Sequence, residues 1–185
     1  MDYFDRHVLE TLIYLPMLAA LVLVFVPRER KQAIRVLGIA TGVGMFVLSA
    51  YAFAAFDYSE GARFQLVRVY PWLELLGIEF ALGVDGIGAP MVLLTGVVSM
   101  AAVIIAANVE RDNKDYYILL FVLIAGVFGT FVSVDLFFFF LFYELAIVPM
   151  YLLIAVWGSS TRFTDFNRPK EYGALKLVMM IVAGS

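Results

Sequence analysis

Long apolar segments alternate with short polar segments along the whole chain. The apolar segments occupy six stretches, at about 8–26, 33–56, 86–107, 116–134, 136–157 and 171–185. Because about 20 apolar residues cross the hydrocarbon core of a bilayer as a helix, the pattern predicts six transmembrane helices. We therefore expect an all-α polytopic membrane protein in a lipid bilayer, with residues 1–185 forming a single membrane domain.

The sixth apolar segment is shorter than the other five. It has 15 residues up to Ser185, which corresponds to roughly 22 Å of helix. A helix of that length does not cross the bilayer, so we expect the sequence to be a fragment of a longer chain.

The one long polar segment, 57–85, has a different periodicity. Apolar side chains occur at every second position from 78 to 84 and on both sides of Gln65. A period of two is typical of strands, so we predict a short β-hairpin on the membrane surface. Tyr70 and Trp72 suit the membrane interface. We expect this hairpin to have a structural role or to contact another subunit.

The composition agrees with a membrane protein of helical type. Hydrophobic residues make up 63% of the chain and charged residues 16%, whereas soluble domains carry about 25% charged residues. The apolar runs are far longer than the alternating segments of a membrane β-barrel, so that class is excluded. No feature indicates a nucleic acid partner.

Basic residues are distributed unequally between the two sides of the predicted membrane. The segments 27–35, 108–114 and 158–170 carry nine Lys or Arg residues. The opposite side, with the N-terminus, 57–85 and Asp135, carries three. Because loops rich in Lys and Arg remain in the cytoplasm, we expect the N-terminus to lie outside.

The chain has no cysteine and a single histidine, His7. This excludes disulfides, cysteine-ligated iron–sulfur clusters, thiol nucleophiles and a haem held between two histidines of this chain. The sequence also lacks a phosphate-binding loop, a metal-ligand cluster and a serine–histidine pair. If the protein belongs to a redox system, we expect this chain to hold no cofactor and to carry no electrons.

One acidic residue, Glu144, interrupts the fifth apolar segment. Every other residue from Leu136 to Trp157 is apolar, aromatic or Pro149. Glu144 would lie about 12 Å from the Leu136 end of the helix. A charge near the bilayer centre costs on the order of 3 kcal/mol, so an ionisable residue there indicates a functional site whose partner is missing.

Lys176 is the second ionisable residue inside an apolar segment. Burial favours the neutral form of a carboxyl or an amine, and a nearby opposite charge favours the charged form. A buried Glu–Lys arrangement therefore has the chemistry of a proton relay. Two alternatives remain open: Glu144 forms a structural ion pair that fixes helix registry, and Lys176 extends to the cytoplasmic surface.

Two further residues shape the fifth helix. Pro149 has no N–H, so the carbonyl of Leu145 loses its helical donor beside Glu144 and is available to a water or a cation. Asp135 directly precedes the helix, where we expect it to cap the N-terminus.

Three segments resemble a known family. The stretch 137–158 is similar to the fifth helix of antiporter-like, proton-pumping membrane subunits of respiratory complex I, and most of all to the M-type subunit, chain 4, of bacterial type I NADH:quinone oxidoreductase. Residues 82–95 resemble the start of the third helix of that subunit, and Tyr172-Gly-Ala-Leu-Lys176 the start of the sixth. Their order and spacing agree, so the chain is similar to the N-terminal part of the family over about 75–185.

The resemblance implies a fold of 14 helices with inverted five-helix repeats, an N-terminus on the periplasmic side of the bacterial inner membrane, and one proton channel per subunit. The family glutamate that matches Glu144 is essential and pairs with a lysine on the seventh helix, beyond Ser185. The implied partners are the other membrane-arm subunits of complex I. FMN, iron–sulfur clusters and quinone are expected in partner subunits.

The resemblance leaves several functions open. The first is a proton-translocating, non-redox subunit of an NADH:quinone oxidoreductase, in which quinone reduction elsewhere drives protonation of Glu144. The alternatives are a subunit of a multisubunit Na⁺/H⁺ antiporter, the membrane arm of a membrane-bound hydrogenase complex, and a helical scaffold. The segment 148–151 and the Asp85-Gly86 entry to the third helix favour the first.

Overall fold

The computed structural model describes residues 3–60, 63–73, 75, 77–109, 113–162 and 167–184. Within these ranges the side chains of 3–6, 60, 161–162 and 167–168 are not described. The six predicted helices are present: α1 Tyr3–Phe25, α2 Lys31–Ala54, α3 Gly88–Ala106, α4 Asn113–Val132, α5 Leu136–Trp157 and α6 Lys170–Gly184.

Five of the helices, α1 to α5, are long and apolar enough to cross a membrane. Helix α6 has 15 residues, and the last residue of the predicted sixth span, Ser185, lies outside the described residues. The predicted class, an all-α polytopic membrane protein with a small hairpin, is confirmed.

The helix ends differ from the predicted spans where polar residues extend or stop a helix. Helix α1 begins at Tyr3 rather than at about 8, because polar residues can continue a helix beyond the apolar segment. Helix α3 begins at Gly88 rather than at about 86, and a carboxylate oxygen of Asp85 accepts from the N–H groups of Ile87 and Gly88 at this helix start, at 3.1 and 2.6 Å. Helix α5 matches its predicted bounds.

The predicted hairpin is confirmed. Strand β1, Gln65–Leu73, pairs antiparallel with β2, Ile78–Val84. The end of β2 also joins the connection between α4 and α5, because the N–H of Val134 donates to the carbonyl of Ala81 at 2.9 Å. A second antiparallel pair, β3 Thr161–Arg162 and β4 Asn167–Arg168, lies in the segment predicted as a plain loop.

Helix α4 is the centre of the bundle. It contacts α1, α2, α3 and α5, while α2 packs on α3 and α6 packs on α5. Its buried side chains include three large aromatic residues, Tyr117, Phe121 and Phe128. The buried hydroxyl of Tyr117 donates to the carbonyl of Val103 at 3.2 Å, which ties α4 to α3.

Small residues allow this close packing. A Cβ on Gly38 of α2 would lie 2.6 Å from the ring of Tyr117, and a Cβ on Gly42 would lie 3.3 Å from Val103. The Gly38–Gly42 spacing therefore serves helix packing, since a larger residue at Gly38 would separate α2 from α4.

The two ends of the bundle have different chemistry. At the basic end, which holds the α1–α2 turn, the start of α4 and the end of α5, the amine of Lys114 donates to the carbonyl of Val24 at 2.8 Å. The ring of Tyr116 lies 5.4 Å from that of Trp157 at the same end. The hairpin and the α4–α5 connection form the opposite, hairpin end. Arg111, one of the nine basic residues counted above, lies outside the described residues.

Helices α4 and α5 approach each other most closely at two glycines. A Cβ on Gly126 would lie 2.9 Å from the carbonyl oxygen of Phe142 and 3.0 Å from the Cβ of Ala146. A Cβ on Gly129 would overlap the ring of Phe142. Since backbone atoms form part of this contact, a side chain cannot be admitted by a rotamer change alone.

Replacement of Gly126 by alanine should therefore push α5 away from α4. We expect the full-length protein in detergent to melt at a lower temperature, with a loss of about 1–3 kcal/mol in the free energy of unfolding. Gly173→Ala in α6 is the control, because no atom lies within 4 Å of a Cβ there. Equal melting temperatures for the two variants would contradict this packing.

Candidate functional site

Helix α5 is fixed at the end that precedes Glu144. A carboxylate oxygen of Asp135 accepts from the N–H groups of Phe137 and Phe138 at 2.8 and 3.2 Å. These two donors have no partner inside the helix, so the predicted N-terminal cap is confirmed. The cap sets where α5 begins and therefore the depth at which Glu144 enters the apolar segment.

Aromatic contacts hold the same part of α5 against the hairpin. The ring of Phe138 lies 4.8 Å from that of Phe80 in β2 and 6.0 Å from that of Trp72 in β1. The ring of Phe142 lies 6.4 Å from Phe80 and is buried against the glycines of α4. One face of α5 is thus packed on the rest of the protein.

Glu144 lies on another face, one that the described chain leaves largely uncovered. Phe137, Phe140 and Val148, at offsets of four and seven residues from Glu144, share this face. They are 46%, 49% and 63% exposed, while Glu144 itself is half-buried. An apolar groove of about 700 Å³ adjoins it, lined by Leu136, Phe137, Phe139, Phe140, Tyr143 and Gly184.

Glu144 makes no ion pair or side-chain hydrogen bond with any residue that the structure describes. A carboxylate at this depth is stable only if it is protonated or paired. The uncovered face is where a further group would reach it.

Pro149 does not interrupt α5, which is continuous from Leu136 to Trp157. The buried proline still lacks an N–H, so the carbonyl of Leu145 has no donor four residues later. This polar oxygen lies on the residue next to Glu144, which places a second acceptor near the carboxylate.

Lys176 lies on the exposed surface of α6 and does not contact Glu144 through an ion pair in the described chain. Helices α5 and α6 are antiparallel neighbours, since the amine of Lys170 donates to the carbonyl of Val156. Counting about 1.5 Å per residue from this shared end, Lys176 lies about 9 Å from the level of Glu144 along the helices. The roles predicted for both residues remain predictions.

A polar cluster at the hairpin end was not predicted from the sequence. Glu10 of α1, whose side chain is 12% exposed, accepts from Tyr70 at 2.8 Å, and His7 lies 3.0 Å from its other oxygen. The guanidinium of Arg68 in β1 lies 3.1 Å from His7 Nε2 and 3.7 Å from Glu10. The contacts of Arg68 with His7 and of Tyr70 with Glu10 join residues about 60 positions apart, so no local sequence pattern predicts them.

The two ring nitrogens of His7 face different groups. Because arginine only donates, the contact with Arg68 suits an acceptor at Nε2, and the contact with Glu10 suits a donor at Nδ1. The hydrogen bond from Tyr70 to Glu10 raises the pKa of Tyr70, because only the protonated phenol can donate it. The cluster ties α1 to the hairpin.

No group of three or more His, Cys, Asp or Glu side chains in the described residues has the arrangement of a metal site. Glu144 and Lys176 remain the candidate residues predicted from the sequence.

Curated relatives identify the kind of protein that the chain resembles. It is 36% identical to NAD(P)H-quinone oxidoreductase chain 4 of the chloroplast of Chlorokybus atmophyticus, over 95% of this chain and 34% of that protein. It is also 36% identical to NAD(P)H-quinone oxidoreductase chain 4 2 of Trichodesmium erythraeum, over 96% of this chain and 30% of the relative. The chain thus spans about a third of the length of these relatives. No family model matches it.

Solved structures share the fold. The chain superposes on a chain of respiratory complex I from Thermus thermophilus with bound NADH, with a TM-score of 0.69 and 20% identity, over 95% of this chain and 32% of that one. It also superposes on a chain of the membrane-bound sulfane sulfur reductase, an archaeal respiratory membrane complex, with a TM-score of 0.68 and 18% identity, over 94% of this chain and 25% of that one.

These similarities confirm the resemblance predicted from the sequence. They cover about 95% of the chain and so extend beyond 75–185, the part in which the sequence motifs resemble the family. The chain is a multi-pass membrane protein similar to chain 4 of NAD(P)H-quinone oxidoreductases, with the fold of complex I membrane subunits.

Removal of the Asp135 cap should loosen the start of α5. We expect Asp135→Ala to lower the free energy of unfolding by about 0.5–2 kcal/mol, because two N–H groups lose their acceptor. Asp135→Asn is the matched control, since its amide oxygen can accept the same bonds. Thermal unfolding in detergent measures the difference, and a loss of the same size in both variants would contradict the capping role.

Proposed function

We propose that the chain is the N-terminal part of a proton-translocating subunit in the membrane arm of an NAD(P)H:quinone oxidoreductase. One observation carries the proposal: Glu144, which has no ion-pair partner among the described residues, lies inside an apolar helix of a chain similar to chain 4 of these enzymes. In this role the chain binds and releases protons and holds no redox cofactor. Quinone, FMN and iron–sulfur clusters belong to partner subunits.

Glu144 is the proton carrier of this proposal. Its face of α5 is open in the described chain, so a basic side chain from another helix has room to approach. When that amine is near, the carboxylate is ionised and paired, and when it withdraws, the carboxyl binds a proton. Quinone reduction in partner subunits would drive this alternation by moving the basic partner.

Lys176 is proposed as a second proton-binding group. Its exposed position on α6 and its distance from Glu144 along the helices suit a separate step of a relay rather than a permanent ion pair. The competing role is a lysine that extends to the basic end of the bundle, where its charge remains in water.

The proposed setting is the bacterial inner membrane with the N-terminus outside. The basic end then faces the cytoplasm, as loops rich in Lys and Arg do. The other membrane-arm subunits of the complex are the expected partners, and the hairpin end is one surface for such contacts.

A second candidate is a subunit of a cation/proton antiporter or of a hydrogenase-type complex. The fold is shared with an archaeal respiratory membrane complex, so the fold alone does not choose between them. The identity of about 36% to chain 4 of NAD(P)H-quinone oxidoreductases favours the first function.

Glu144→Gln tests the proton carrier directly. In membrane vesicles that contain the full-length protein within its complex, we expect NAD(P)H-driven proton transport to fall roughly tenfold or more, because glutamine cannot take up a proton. Glu79→Gln, which neutralises an exposed carboxylate on the hairpin, is the control and should retain transport. Normal transport by an assembled Glu144→Gln complex would exclude this role.

Lys176→Gln separates the relay from the alternative of a surface lysine. The relay predicts a loss of proton transport with the complex intact, since an amine that exchanges protons is removed. The second variant is Lys176→Arg, which keeps the positive charge but exchanges protons poorly. We prefer it to Lys170→Gln as a control, because that substitution also removes the hydrogen bond to the carbonyl of Val156. Full transport by both Lys176 variants would assign the lysine to the surface role.

A further inference from the structure

We propose that the basic turn between α1 and α2 binds an anionic phospholipid, with the lipid phosphate at the turn and an acyl chain along α2. The basic turn is defined by Arg28, Arg30, Lys31 and Arg35. This inference concerns a surface away from Glu144 and does not depend on the proton-transfer proposal.

The charges of the turn are only partly neutralised by the protein. Arg28 pairs with Asp115 at 3.0 Å, and Lys114 beside it donates to a helix carbonyl. Arg30, Lys31 and Arg35 are exposed and make no ion pair with the described residues. Within the part of the chain that the structure describes, three cations are therefore available at the end of two membrane-spanning helices, where lipid headgroups lie.

An open groove of about 670 Å³ lies at this turn. It is lined by Glu29, Arg30, Lys31, Gln32, Ala33 and Val36. Glu29 is the one acidic side chain in the lining and opposes an anion, but Arg30 and Lys31 follow it in the chain and leave a positive surplus in the groove. Arginine and lysine both bind phosphate oxygens through charge-assisted hydrogen bonds.

An exposed apolar stripe on α2 continues from the groove. Val36 lines the groove and is 61% exposed. Ile39, Val43 and Val47 follow it on the same face of the helix and are 41%, 41% and 57% exposed. The groove therefore passes directly from cationic side chains to an apolar surface inside the membrane.

This combination selects a lipid rather than a soluble anion. A free phosphate would use the cations alone, whereas a phospholipid also covers the apolar stripe. Clusters of basic residues next to a transmembrane helix attract anionic lipids in particular. A zwitterionic lipid carries a cationic ammonium group, which the surplus of positive charge on the protein does not attract. We therefore expect it to bind this turn more weakly than an anionic lipid does.

The test compares lipids added to the delipidated full-length protein. We expect phosphatidylglycerol to raise the melting temperature by at least twice the shift given by phosphatidylcholine of the same chain length. Inorganic phosphate at equal concentration should give no shift. The preference for phosphatidylglycerol should weaken between about 0.05 M and 0.5 M salt, since exposed charges are screened.

Variants assign the effect to this turn. Arg30→Gln combined with Lys31→Gln should abolish the preference for phosphatidylglycerol, whereas Arg63→Gln at the hairpin end should leave it intact. Equal shifts with the two lipids on the unaltered protein would overturn the proposal without any variant. A preference that survives in the double variant, or an equal shift with inorganic phosphate, would overturn it as well.

Discussion

A carboxylate inside a membrane helix must be either protonated or paired, and this constraint applies to Glu144 of α5. Glu144 lies in a helix that is otherwise apolar, aromatic or proline, and no described residue pairs with it. A permanently ionised, unpaired group there would cost on the order of 3 kcal/mol or more. The open face around it, with Phe140 and Val148 about half exposed, leaves room for a basic group. A carboxylate in that position is suited to alternate between the two stable states.

The rest of the bundle holds the helix that carries Glu144 in a fixed position. Asp135 caps its start, and Lys170 donates to the carbonyl of Val156 near its end. Gly126 and Gly129 bring the backbone of α4 against its middle. Because the helix is held along its length, changes at Glu144 are expected from proton binding and from approaching side chains rather than from movement of α5. A proton carrier needs this defined placement.

Local patterns in the sequence predicted what depends on near neighbours. The apolar runs predicted the helices, and the period of two predicted the hairpin. The position of Asp135 before an apolar run predicted the N-terminal cap of α5. The cluster of His7, Glu10, Arg68 and Tyr70 was not predicted, because its contacts bridge separate elements that only the fold brings together. The depth of a side chain such as that of Lys176 also depends on neighbouring helices. The sequence therefore identified Lys176 as a candidate but could not predict which residues surround it.

The most direct measurement is the protonation state of Glu144 during turnover. Infrared difference spectroscopy of the full-length protein in its complex, with Glu144→Gln used to assign the carboxyl band, records that state. If Glu144 carries protons, the protonated carboxyl band should appear and disappear as the enzyme cycles, and the variant should lack the change. A Glu144 that stays ionised throughout turnover, in a complex that still transports protons, would contradict the account.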